Sequence, residues 1–245
     1  MQRRDDGRWA TAMFGFPVVE ERGGRSRWFV EPTPGSERLG PFVDPDASHL
    51  WFGPDHERHR PDIWAVCRPW PSPRAQRWTS RDLVVYEAHV RGMTMRHDRS
   101  DRGTFAALLD ELPRLADLGV SVLELLPVHQ FDPAEHNYWG YMPIVFGAVH
   151  QQYADDPDRA PDELAALVAT AHDLDIEVWL DVVFNHTSEE DENGPLHHLR
   201  LLGRRPVDGE GRHGHDAYVM DPTDGSLADE AGTGNTIDAF APLAL

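Results

Sequence analysis

Leu83-Val84-Val85-Tyr86-Glu87-Ala88-His89-Val90 is the stretch on which the architecture turns. It is dense in β-branched and aromatic residues, the signature of a strand. Downstream, Phe105, Leu108, Leu109, Leu112, Leu115 and Leu118 recur at helical spacing and stop at Gly119, a residue that readily ends helices. Pro113 interrupts that spacing and predicts a kink or a split. Val120 to Leu126 reads as a second strand, closed by Pro127. Pro161 can open another helix, with Leu164, Leu167, Val168, Ala171 and Leu174 on one face, leading into a third strand from Ile176 to Val183. This alternation predicts parallel strands joined by right-handed helical crossovers, as in barrels and doubly wound sheets. No G-x-G-x-x-G follows any of the three strands, which weakens a dinucleotide-binding sheet.

Upstream, Met1 to about Ser80 is broken by proline and glycine, as in Glu31-Pro32-Thr33-Pro34-Gly35 and Pro69-Trp70-Pro71-Ser72-Pro73, and predicts short strands and loops. Trp28, Trp51, Trp64, Trp70 and Trp78 lie here; they can line a sugar-binding face, but packing is the favoured reading for large aromatics. Beyond Thr187 a long polar segment runs through Glu189-Glu190-Asp191-Glu192-Asn193-Gly194 and His213-Gly214-His215 without a period, as functional or disordered loops do. The expected division is therefore 1–80, irregular or β-rich; 81–187, the strand-helix units; and 188–245, loop-rich.

The chain has 245 residues, enough to bury a sizeable core, and its 42 acidic against 23 basic residues give a net charge of -19. That charge repels nucleic acid and anionic membranes, so neither is an expected partner. All the basic residues are arginine; the absence of lysine removes Schiff-base chemistry and a P-loop. Cys67 is the sole cysteine, which excludes an intrachain disulfide and a multi-cysteine zinc site. With no signal-peptide pattern and no long apolar run in the sequence, the cytoplasm is the default location.

In parallel β/α folds function collects where strands end, so the residues leaving each strand are the ones to read. The third strand leaves through Asp181-Val182-Val183-Phe184-Asn185-His186-Thr187. An aspartate in an apolar run is costly without a cation or several donors, so Asp181 should have a dedicated partner, most simply an arginine. Asn185 and His186 can offer hydrogen bonds into a cleft above the sheet. The second strand leads to Asn137-Tyr138-Trp139-Gly140-Tyr141, whose aromatics suit stacking on a sugar ring or, equally, packing within a turn. A metal-dependent hydrolase built on His197, His198, His213 and His215 is disfavoured, because histidines in a Gly-rich acidic loop are usually solvated and no H-E-x-x-H occurs.

These segments carry a resemblance. Asp181 to Thr187 resembles the first signature of the α-amylase superfamily, glycoside hydrolase family 13, at the end of its third barrel strand. Tyr86-Glu87-Ala88-His89-Val90-Arg91-Gly92-Met93-Thr94 resembles the first barrel strand of the isoamylase and glycogen-debranching branch, and Leu123-Glu124-Leu125-Leu126-Pro127-Val128 its second. Asn137 to Tyr141 resembles its aromatic loop, and Gly232-Thr233-Gly234-Asn235-Thr236 a turn in the domain inserted after strand 3. The resemblance implies a partial (β/α)8 TIM barrel, an α/β fold with about three strand-helix units and the start of the inserted domain. Before it would stand the remnant of a β-sandwich.

It implies an α-glucan polysaccharide or oligosaccharide as substrate, cleaved at α-1,6 bonds with retention. Tyr141 would stack beneath the sugar at the cleaved bond, with Trp139 in the same loop, and His186 would hydrogen-bond that sugar. Asp181 would hold the arginine beside the nucleophile. Asn185 is a calcium ligand in some relatives and structural in others; no cofactor is expected, since a hard cation needs six or more oxygens and the sequence nominates one.

Retaining glycosidases need two carboxyl groups about 5 Å apart, and the resemblance places both on strands 4 and 5. No Arg-x-Asp on an apolar strand follows His186. The expectation is an N-terminal fragment, inactive alone, with an open sheet edge and the remainder of the barrel as a possible partner. A non-catalytic glucan-binding or regulatory protein is the alternative, as is a branching or trehalose-releasing relative.

Overall fold

The computed structural model describes residues 16–31, 39–44, 46–57, 62–69, 83–133, 137–189 and 217–240. It also gives the backbone of two short antiparallel pairings, Gln2–Arg3 with Trp9–Ala10 and Arg204–Pro206 with His213–His215. Trp70, Trp78, His197 and His198 lie outside the described residues.

Three parallel strands form as the β-branched runs demand: Val85–Ala88, Val122–Leu125 and Glu177–Leu180. The second lies between the first and third, in a register that aligns Ala88, Leu125 and Leu180 at the carboxyl ends. Directly paired residues of a parallel sheet share a face. Tyr86, Ala88, Leu123, Leu125 and Val178 therefore face one way and join the main apolar core with Phe105, Leu108, Leu112, Leu115, Leu164 and Leu167 from the helices. Glu87, Glu124 and Trp179 form a row on the opposite face.

The helical run splits as the proline dictates, into Phe105–Leu109 and Leu112–Asp117, with Pro113 in the first turn of the second helix, where its missing N–H costs nothing. Thr104 caps the first by accepting the Ala107 N–H. The long crossover helix Ala160–Asp173 starts with Pro161, carries Asp162 and Glu163 in its first turn, and buries Leu164, Leu167 and Ala171. These carboxylates oppose the positive end of the helix dipole. Its terminus is made by Asp175 at φ 59°, with the Ile176 N–H reaching back to the Ala171 carbonyl.

Each strand is shorter than its apolar run suggests. The first ends at Ala88 because His89 caps a one-turn helix, Val90–Thr94. The third ends at Leu180, which makes Asp181 the first residue beyond it rather than an acid within it.

Residues 16–66 are more regular than their punctuation implies. Phe16–Arg22, Arg25–Glu31, Leu39–Phe42, His49–Phe52 and Ile63–Val66 make a five-stranded antiparallel sheet. Trp64 is buried beneath the Arg27 guanidinium, 3.9 Å from its ring centroid, so it packs, whereas Trp28 is partly exposed. A hairpin unseen in the sequence, His129–Phe131 with Pro143–Val149, follows the second parallel strand. Ile144, Val145 and Ala148 of its return strand share a core with Val43, Leu50, Ile63 and Ala65 of the antiparallel sheet. The two sheets also meet at a buried pair, His56 Nε2 and Asp132 Oδ1 at 2.9 Å.

Candidate functional site

The hairpin tip and the exit of the third strand come together. Gly140 turns the chain at φ 83°, and a Cβ there would stand 3.0 Å from the Pro127 carbonyl oxygen, so only glycine fits. The Asn137 side chain accepts the Gly140 N–H and closes the turn. Tyr141 follows, and its hydroxyl donates to Asp181 Oδ2 at 2.6 Å. Its carbonyl accepts from His186 Nε2, also at 2.6 Å. A carbonyl only accepts, so Nε2 carries the proton. His186 is buried, and its Nδ1 lies 3.2 Å from Asn185 Oδ1.

The Asp181 carboxylate holds the Tyr141 phenol pushed up to about 12; burial adds to this, as do the charges of Glu87 and Glu124. The phenol therefore remains a donor across the neutral range. Acid, phenol and imidazole share the carboxyl ends of the sheet, and Glu87 and Glu124 stand on the face below. Among the described residues the partner of Asp181 is the Tyr141 hydroxyl, and no arginine reaches it.

The other aromatics divide. Trp139 is 55% exposed, with Tyr138 edge-on to it at 5.3 Å between centroids. Tyr138 stacks flat on His89 at 4.0 Å, and a Cβ on Gly92 would come within 2.4 Å of its hydroxyl. His89 accepts the Gly92 N–H at Nδ1 and donates from Nε2 to the Tyr138 carbonyl at 2.6 Å. Burial pushes its pKa down, so it stays neutral.

The strand exit is itself held from behind. Asn235 Oδ1 accepts the Thr187 N–H at 3.0 Å while its Nδ2 donates to the Thr187 carbonyl at 2.9 Å, and the Asn185 carbonyl accepts the Ile237 N–H at 2.8 Å. Tyr218 bonds both Thr187 and the buried Glu189. The sequence nominated Tyr141, Trp139, Asp181, Asn185 and His186 but attached no task to His89, Asn137 or Asn235. A histidine just ahead of Val90-Arg91-Gly92 is a faint capping signal; the Asn235 contact spans 48 positions and has no local one.

Both oxygens of Asn185 face protein groups, Ile237 N–H and the His186 ring. Among the described residues no three His, Cys, Asp or Glu gather as a metal site.

Fold and site define a class: a parallel β/α protein whose strand ends hold an aromatic platform between an aspartate and a histidine. The family description "Alpha amylase, catalytic domain" matches residues 86–194. Two glycogen debranching enzymes of Klebsiella pneumoniae are each 36% identical, over 185 and 231 residues, which is 71% and 82% of this chain. The chain belongs to the α-amylase superfamily, in its glycogen-debranching branch. It spans only 26% and 33% of those two relatives.

The fold matches that of a pullulanase from Anoxybacillus sp. LM18-11, solved with maltotriose, at a TM-score of 0.65 and 22% identity, covering 90% of this chain and 32% of that one. A putative α-amylase from Salmonella typhimurium matches at 0.51 and 26% identity, over 82% of this chain and 30% of that one. The three strands lie in an order common to barrels and to half of a doubly wound sheet; the pullulanase likeness supplies the partial TIM-barrel assignment.

Proposed function

We propose that this chain supplies the aromatic wall of an α-glucan-binding cleft in a debranching glycoside hydrolase that cleaves α-1,6 bonds with retention. The observation that carries it is Tyr141, gripped at its hydroxyl by Asp181 and at its carbonyl by His186 above the strand ends. A ring held this way offers a preorganised face to the apolar side of a glucose unit. Trp139, exposed beside it, extends the platform. We place Tyr141, Trp139 and His186 on the sugar side, with Asp181 and Asn185 as structural residues of the rim. The similar pullulanase was solved with maltotriose, and the similar curated proteins are named glycogen debranching enzymes, which supports a linear α-glucan arm as ligand.

The two carboxyl groups of the retaining reaction are assigned outside this chain, so we expect it to bind glucan without cleaving it. The units 1–80, 81–187 and 188–245 remain our proposed division, with the rest of the barrel as the catalytic partner.

Two measurements test the proposal. Migration of the chain in a gel containing amylopectin should be retarded, and incubation with amylopectin should release no reducing ends. Unretarded migration would remove the glucan reading, and reducing ends would remove the claim that catalysis lies elsewhere. A glucan-binding or regulatory protein would show itself if a polypeptide of the relatives' full length also bound and cleaved nothing.

A further inference from the structure

Resting on the glucan-binding reading above, we infer that the loop leaving the first parallel strand is an anion site built from Arg91, Arg96 and Arg102. Its ligand is a phosphate monoester, carried on a glucose unit of the glucan or free in solution.

Charge sets this loop apart from the rest of the chain. The whole protein carries a net charge of -19, yet residues 91–103 hold four arginines against two aspartates. One of the four, Arg99, is already occupied, by Asp101 at 2.5 Å and Asp110 at 2.8 Å. Nearby Glu111 is taken by Arg114 at 2.8 Å, with His97 at 3.7 Å. Arg91, Arg96 and Arg102 are exposed, and among the described residues none of them meets a carboxylate or another side-chain hydrogen-bond partner. Of the acids within the loop only Asp98 is left to oppose them, so the surface keeps a surplus of positive charge.

The fold crowds these three cations. Gly103 is buried at φ 84°, and its N–H donates to the hydroxyl of buried Thr94 at 2.7 Å. A Cβ there would stand 3.0 Å from Arg91 Cγ and 2.9 Å from Met95 Sδ. Arg102 precedes that glycine and Arg96 follows that methionine, so one tight knot of backbone carries all three side chains. Like charges this close repel one another, and an anion among them relieves the repulsion. Guanidinium forks match phosphate oxygens two at a time. The rest of the chain is acidic and repels extended polyanions, which leaves a single small dianion as the fitting ligand.

The knot also lies beside the aromatic tip, at the carboxyl end of the sheet where ligands collect. His89 stacks on Tyr138, and Gly92 leaves the space that the Tyr138 hydroxyl fills, so Arg91 stands between two residues that touch this ring. Exposed Trp139 is the next aromatic along. A glucan laid over these rings passes the loop, and a phosphate on it comes within reach of the arginines.

The test is calorimetric titration of the chain with maltotriose, with maltotriose bearing one phosphate monoester, and with inorganic phosphate. At low salt the phosphorylated sugar should bind about tenfold or more tighter than the neutral one, as a single charged hydrogen-bonded contact allows. Added salt should shrink that advantage. Arg91→Gln, Arg96→Gln and Arg102→Gln combined keep the Cγ that packs on Gly103 and remove the charge. This triple variant should lose the advantage while binding neutral maltotriose as before. Arg159→Gln, which removes an exposed arginine elsewhere, should retain it. Inorganic phosphate that binds more weakly than the phosphorylated sugar assigns the ester to the glucan.

Neutral maltotriose binding with no gain from the phosphate would overturn the anion site and keep the glucan reading. A phosphate advantage that survives in the triple variant would overturn the assignment to these arginines. If neutral maltotriose fails to bind, while inorganic phosphate and the phosphorylated sugar bind equally and the triple variant loses both, the glucan reading fails and the anion site stands with free phosphate as its ligand.

Discussion

Asn235 shows what a single side chain does here that its sequence neighbourhood does not announce. Its amide satisfies both backbone groups of buried Thr187. Replacing it with alanine strands an N–H and a C=O, each at about 1–3 kcal/mol, so Asn235→Ala should lower unfolding free energy by roughly 2–4 kcal/mol in urea denaturation. A loss below about 0.5 kcal/mol would mean water reaches Thr187.

Gly92 is a second case, since the space its missing Cβ leaves is filled by the Tyr138 hydroxyl. Gly92→Ala must push that ring off His89 and should cost about 1–3 kcal/mol, as overpacking does, with a changed near-ultraviolet circular dichroism. Gly119 gives the contrast. At φ 82° with open space around it, its alanine variant should lose about 1 kcal/mol through backbone strain, with aromatic signals unchanged.

Among the elements, the hairpin and the helix cap it packs beside bury imidazoles that cannot charge in place. Burial pushes His150 down to about 3, and lowers His89 and His129 as well. In the unfolded chain these rings take up protons near their ordinary value of about 6.5. The unfolded state therefore binds more protons as pH drops from about 6.5 toward 3, and the folded state loses stability over that window while remaining unaffected above it. Melting temperature measured from pH 8 to pH 4 should be level and then fall, and His150→Gln should flatten the fall. A melting temperature that rises on acidification would contradict this.

The elements also show what could be read in advance. The parallel strands, the split at Pro113 and the start at Pro161 follow from short-range steric rules, so the residues declare them. The hairpin return, Pro143–Val149, opens with a proline, holds Gly147 and pairs through register shifts, so no alternation marked it. The five-stranded sheet was obscured by its punctuating turns. At the site, Asp181 was legible as a residue needing a dedicated partner, and among the described residues it meets a phenol 40 positions away. Pairings of that span are created by the fold and leave no periodic trace.

For the molecule as a whole, the first and third parallel strands are the edges of their sheet among the described residues. Leu83, Val84 and Val85 at one edge and Leu180 at the other are exposed. Unpaired apolar edges recruit further strands, so light scattering of the isolated chain should show association that grows with concentration. A stable monomer at high concentration would show that the edges are protected. No helix among the described residues is long and apolar enough to cross a membrane.

The shared core between the antiparallel sheet and the hairpin return has a consequence for anyone shortening this protein. Tyr141 stands two residues before Pro143, where that return begins, and Ile144, Val145 and Ala148 rest on the sheet formed from residues 16–66. Trimming those early residues would uncover the return strand's apolar side and slacken the tether of the platform. On the proposed glucan-binding reading, affinity would decline although Tyr141 itself is kept, which makes the leading sheet a foundation of the cleft rather than a dispensable ornament.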